Sequence, residues 1–194
     1  MAIRRNKAKA NLEIVVGVDP GGKGALALYR PNVAPMPGPP GTDITIRPPK
    51  LLVWDMPTCK VQVTKNKFKT ELDLDALHKL AALLVDSYGA QRVVIEKVGG
   101  MPGQGSGFTF GWNCGVVHMA FISCGITPEI VSPGQWKKDA QVPADKKEAV
   151  KCADATFPDY VGEFRRPHAT QKGKSVVRSD RAEAALLAWW GVNC

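Results

Sequence analysis

Residues 14–30 read IVVGVDPGGKGALALYR, and the reading of this stretch decides the fold. Ile14, Val15, Val16 and Val18 form a short β-branched apolar run that Pro20, Gly21 and Gly22 bring to a stop. A second apolar run follows at once, from Gly24 to Tyr29. Two such runs around a glycine-rich turn predict a β-hairpin with one strand buried in a sheet. Asp19 is the last residue before the turn. An acid at the end of a buried strand is costly unless it meets a cation or a hydrogen-bond donor. Taken alone, the stretch suits a turn-capping aspartate and a functional carboxylate equally well.

Composition narrows the classes. With 194 residues, 44% of them hydrophobic, the chain is long enough for one well-buried domain and too short for two. We place that domain at residues 13–194, behind a basic arm at 1–12 that carries Arg4, Arg5, Lys7 and Lys9. The formal net charge of +8 favours a polyanionic partner over a neutral metabolite. Cys59, Cys114, Cys124, Cys152 and Cys194 are odd in number and lack CxxC spacing, as expected of reduced cytoplasmic thiols and not of a zinc site. No apolar run reaches membrane length and no signal-peptide core is apparent, so a membrane role is not expected.

Outward from the hairpin, the proline-rich residues 31–50 read as an insertion or long loop. Residues 51–56, LLVWDM, predict a third strand ending in a second acid, Asp55, which we read as structural. Residues 58–70 read as a basic connector with Lys60, Lys65, Lys67 and Lys69. Leu74, Leu77, Ala81, Leu84 and Val85 recur at helical spacing. Residues 92–98, RVVIEKV, predict a buried strand with Glu96 inside it, and a glycine-laden loop follows at 99–107. Phe110, Cys114, Val117 and Phe121 mark a second helix, and residues 127–131 a fifth strand. Two short lysine-rich helices (133–139 and 144–157), a basic loop (161–177) and a helix from Asp180 to about Trp190 complete the order. Strands interleaved with helices in this way predict a mixed α/β domain.

Asp180 and Glu183 stand three apart and share one face of the last helix. With Asp19 and Glu96 they make four acids from three separated segments. Like charges at close range raise one another's pKa, and a divalent cation relieves the conflict. Oxygen-only ligands select Mg²⁺ or Mn²⁺ over zinc.

Taken together, GVDPG with Asp19, VVIEKV with Glu96, MPGQGSG leading into FTFGWNCGV, SPGQWKK, PADKKEAV and DRAEAALLA with Asp180 and Glu183 resemble the RuvC-type Holliday-junction resolvases. These belong to the ribonuclease-H-like superfamily, and the likeness is to their phage and bacterial branch. The resemblance implies a five-stranded mixed sheet flanked by helices, a homodimer, and nicks across a four-way DNA junction. It makes Asp19, Glu96, Asp180 and Glu183 the catalytic, metal-binding acids, holding two Mg²⁺ per site with Mn²⁺ as substitute, and leaving 5′-phosphate ends. It also implies a cytoplasmic location in a bacterium or phage-infected host. Lys137 and Lys146 match lysines that lie near DNA in the family, and Lys138 and Arg178 join them as DNA-binding candidates. Two departures stand out: Glu183 replaces an aspartate, and Gly99 replaces an aromatic residue after the strand glutamate. Met101 or Phe108 is expected to take that aromatic's place as a wedge between base steps. The helix around residues 110–124, apolar on more than one side, is the expected dimer surface.

Three alternatives remain at this level. The GVDPGGKGALAL stretch also resembles the phosphate loop of actin- and hexokinase-like ATPases, but no second lobe follows, so no nucleotide cofactor is expected. A non-catalytic DNA-binding relative of the same fold is a second possibility. A nuclease for other branched DNA or for RNA/DNA hybrids is the third.

Overall fold

The computed structural model describes residues 13–37, 45–97, 107–167 and 175–194. The basic arm and most of the glycine-laden loop, Met101 included, lie outside them. The central sheet has five strands: β1 (Val15–Asp19), β2 (Ala25–Tyr29), β5 (Leu51–Asp55), β8 (Arg92–Glu96) and β9 (Glu129–Val131), in the order β5-β2-β1-β8-β9. The short β3 (Met36–Pro37) and β4 (Thr45–Ile46) pair with each other inside the proline-rich insertion. β2 is antiparallel to both β1 and β5, whereas β1, β8 and β9 are parallel neighbours. This is the five-stranded mixed sheet flanked by helices that the resemblance implies.

The strand sequences are apolar on both sides because both faces are covered. Val15 faces one core, with Ala25, Ala27 and Val94 beside it. Val16 and Val18 face the other, with Leu26, Leu28, Val93 and Ile95. Helices α1 (Leu74–Ala82) and α2 (Gly107–Ile122) cover the second face; α3 (Pro133–Asp139), α4 (Lys146–Thr156) and α5 (Ser179–Asn193) cover the first. α1 starts on Asp73, whose side chain accepts from the Ala76 N–H at 3.0 Å, and runs into a wider turn over Leu83–Ser87.

α5 lies directly on β1. A Cβ at Gly17 would overlap the Ala184 carbonyl and the Ala188 amide, and one at Gly191 would sit 2.7 Å from Val15 Cγ1. Small residues at both crossing points let backbone meet backbone. Arg92 then ties the end of β8 to α5 by donating to the Gly191 carbonyl while pairing with Glu129 at 2.6 Å.

Two segments differ from their sequence-based reading. Residues 58–72 are a β-hairpin, β6 (Thr58–Thr64) and β7 (Lys67–Leu72), with a bulge between Gln62 and Thr64. Its lysines interrupt the apolar alternation that marks a strand, because neither face is buried. Where the sequence predicts a basic loop at 161–177, a tight helical turn over Pro158–Phe164 runs into β10 (Arg165–Pro167), which pairs with β11 (Ser175–Val177). Arg165 anchors this turn through a fork to Asp154 at 2.8 and 2.5 Å. Among the described residues no helix is long and apolar enough to cross a membrane.

Candidate active site

Because β1 and β8 are parallel, their C-terminal ends share one rim of the sheet. Asp19 and Glu96 each stand one residue past the paired Val18 and Ile95. The chain turns sharply after Asp19. The Gly21 N–H donates to Asp19 Oδ1 at 3.1 Å, and the Gly24 N–H donates to the Gly21 carbonyl at 2.7 Å. A side chain at Gly24 would collide with the carbonyls of Asp19 and Gly21, so the turn requires glycine there. Burial raises the Asp19 pKa, opposed by the Gly21 hydrogen bond; the charges of Glu183 and Asp180 raise it further and Lys146 lowers it. The turn-cap and functional readings are therefore compatible: one oxygen caps the turn, in a field set by two other acids.

Glu96 is held by a residue that the sequence does not single out. Trp136 of α3 is fully buried and donates its indole N–H to Glu96 Oε2 at 2.7 Å. Burial pushes the Glu96 pKa up; the Trp136 bond pulls it down, and the charges of Glu183 and Asp19 push it up again. α5 contributes the other two acids. Glu183 is one of the two buried polar side chains among the described residues, and its Oε1 accepts from Lys137 Nζ at 2.6 Å. Asp180 accepts two bonds from the Arg178 guanidinium, at 3.2 and 2.6 Å.

The remaining predicted site residues sit as follows. Lys137 is well covered and lies 5.4 Å from the Trp136 ring centre. Lys138 and Lys146 are exposed, Lys146 opening α4 next to its cap Asp145. Arg178 is held between Asp180 and Asp55, donating to Asp55 at 2.7 and 3.2 Å. Asp55 also accepts from Arg181 at 2.6 Å, and these partners, Arg181 first, hold its pKa low. It lies two strands from Asp19, in the row Asp19, Ala25, Asp55. Phe108, at the start of α2, is 83% exposed and so does not pack into the core. Met101 lies outside the described residues.

Asp19 thus lies within electrostatic range of the other three acids, and Glu96 within range of Glu183. Among the described residues, however, no three His, Cys, Asp or Glu side chains form a ready-made ion cage. Lys137 and Arg178 instead pair with Glu183 and Asp180. The donor chemistry nevertheless fits a hard divalent cation: the four candidate ligands offer only carboxylate oxygen, and two carry raised pKa values caused partly by their fellow acids.

No protein-family model matches the chain, and no curated protein matches it. Among solved structures, it is similar to RuvC from Thermus thermophilus at 15% identity, covering 91% of this chain and 93% of that one, with a TM-score of 0.48. A structure titled T. thermophilus RuvC in complex with Holliday junction substrate gives 14% identity, 91% of each chain and a TM-score of 0.48. The yeast mitochondrial Holliday junction resolvase Ydc2 gives 10% identity, 94% of this chain and 78% of that one, and a TM-score of 0.47.

Proposed function

We propose that this chain is a divalent-metal-dependent endonuclease that nicks four-way DNA junctions as a homodimer. The observation that carries the reading is the convergence of Asp19, Glu96, Asp180 and Glu183 on one sheet rim beside Lys137 and Lys146. Asp19, on the central strand, faces the acids of α5 and is the natural shared ligand. When bound, two Mg²⁺ or Mn²⁺ ions would supply Lewis-acid stabilisation of both oxygens in an in-line phosphodiester displacement, leaving a 5′-phosphate. The protein's own groups do the rest. Trp136 fixes the Glu96 carboxylate, the β1 turn fixes that of Asp19, and Lys146 places positive charge beside the acids to receive phosphate. Lys137 adds a second positive charge beside the acids, where it pairs with Glu183. Lys138 and Phe108 present charge and an aromatic ring to the substrate from outside the acid cluster. The same reading puts the protein in the cytoplasm of a bacterium or an infected host, as the resemblance implies.

One observation favours the second reading, a non-catalytic DNA-binding relative: two of the four acids are already neutralised by Lys137 and Arg178. The two readings part in a single assay. The dimer is incubated with labelled four-way junction, fork, duplex and single strand, with and without Mg²⁺. Mg²⁺-dependent paired nicks in the four-way junction support the nuclease. Tight junction binding with no cutting in Mg²⁺ or Mn²⁺ supports the second reading instead.

A further inference from the structure

The β6–β7 hairpin grows from the same rim as the acids. β5 is parallel to β1, since each is antiparallel to β2, and it ends at Asp55 in the row that contains Asp19. Just beyond, the Met56 N–H donates to the Gly24 carbonyl at 2.9 Å, which ties the foot of the hairpin to the turn after Asp19. The Asp73 N–H donates to the Pro57 carbonyl at 3.0 Å and closes the other leg. From this fixed base the ribbon stands free: every residue from 60 to 71 is exposed.

Its surface has one sign. Lys60, Lys65, Lys67 and Lys69 face a single acid, Glu71, which pairs with Lys69 at 3.2 Å. Cross-strand partners share a face, so Lys60, Gln62, Phe68 and Thr70 line one side, and Val61, Lys67 and Lys69 the other. Lys65 is at the tip, where its carbonyl accepts from Gln62 Nε2 at 3.1 Å. Lysines along a free strand also discourage edge-to-edge pairing. That role alone leaves unexplained an exposed Phe68 and Val63, at 59% and 56%, which invite such pairing.

We infer that this hairpin is a second DNA-contacting element, which grips the phosphates of one duplex arm beyond the point of cleavage. A seven-residue strand spans roughly 20 Å, or about six base pairs at 3.4 Å each. Its lysines bind backbone without reading sequence. The inference rests on the DNA reading above and adds to it an arm-length requirement that the acid cluster does not impose.

The test uses the full chain with Lys60, Lys65, Lys67 and Lys69 all changed to Gln, beside the unchanged protein. All four positions are exposed, so the thermal midpoint should stay put; Lys67→Glu serves as a milder variant with the same expected direction. Affinity for a four-way junction is measured across a salt series without divalent ions, with arms of about 6 and about 20 base pairs. The fourfold variant should bind the long-armed junction at least about tenfold more weakly. Its slope of log affinity against log salt should shrink by about 0.9 for each phosphate the hairpin no longer neutralises. The unchanged protein should prefer long arms, and the variant should lose that preference. Equal affinities and equal slopes overturn the inference. Cleavage in Mg²⁺ is scored separately. A loss of affinity in a protein that never cuts keeps the hairpin and removes the nuclease, whereas normal cutting with unchanged affinity does the reverse. Failure of the unchanged protein to bind any DNA overturns both.

Discussion

Helices α5 and α2 are close in length and both are rich in apolar residues, yet the sheet uses them differently. α5 buries ten residues, Glu183 among them, and meets β1 through Gly17, Ala184 and Ala188 with no room for another methyl group. α2 buries only Asn113, Val117 and Phe121, and leaves Phe108, Trp112 and Met119 exposed. A Cβ at Gly111 or Gly115 would meet nothing within 4 Å. A groove of about 470 Å³ runs along this open side, lined by Gly111, Gly115, His118, Met119 and, from the sheet edge, Ile130. The contrast separates two uses of an apolar helix. α5 is a platform that holds Asp180 and Glu183 above the sheet, while α2 leaves open the apolar surface that we propose for a second copy of the chain.

The most damaging way to break this contrast is Gly17→Val. With backbone on the far side, the helix must move as a whole, and we expect a loss of about 3 kcal/mol or more, read as a lower urea midpoint. The same change at Gly115 should leave the midpoint of the isolated chain within about 1 kcal/mol. Comparable losses at both sites would mean that α2 is packed as tightly as α5.

Next in size is the site that α5 supports. On the proposed reading, in which acids hold metal and lysines phosphate, Asp19→Asn should cut junction cleavage at least about a hundredfold while leaving junction affinity nearly unchanged. The same variant has a pH signature in the metal-free protein. Burial and neighbouring acids raise the folded-state pKa values of Asp19 and Glu96. Folding therefore favours their protonated forms. That stabilisation is complete below the ordinary carboxylate values and is lost as pH rises through the raised ones. Unfolding titrations without divalent ions should show stability falling across this window, less steeply in Asp19→Asn, and Mg²⁺ should restore it at the upper end. A stability that rises with pH over the same window, metal-free, would contradict the burial of these acids.

A smaller effect is expected on the open helix. Light scattering should give a mass near twice 20.9 kDa. Trp112→Ser together with Met119→Ser should weaken association by about 2 kcal/mol without lowering the unfolding midpoint of the monomer. Cleavage by a stable monomer would remove α2 from its proposed role. The smallest effect comes from Gly111→Ala, which should stabilise the separated chain by up to about 1 kcal/mol through helix propensity alone. If α2 faces a partner, the added methyl should also reduce dimerisation.

Some of this organisation is legible in the residues and some is not. Asp19 and Glu96 stand out because each interrupts or ends an apolar β-branched run, where a charge is conspicuous. Asp180 and Glu183 stand out because three-residue spacing on a helix places both on one side. Trp136 does not, since nothing in PGQWKK tells where an indole N–H will point once the helix packs. The Asp55–Arg178–Arg181 network is equally hidden, because its members are far apart in sequence and any surface arginine could serve. The β6–β7 hairpin reads as a connector because its strands bury neither face, so the alternation that reveals other strands has no core to report.

The placement of α5 also bears on the order of events during synthesis. It follows every other described element in the chain, and it brings two of the four acids as well as cover for one face of β1. A nascent chain that has already exposed Asp19 and Glu96 has neither Asp180 nor Glu183 to complete the set. Because Gly17 accepts α5 only at close approach, the acids converge only when the sheet beneath is correctly formed. Assembly of the fold and convergence of the four acids are then one event.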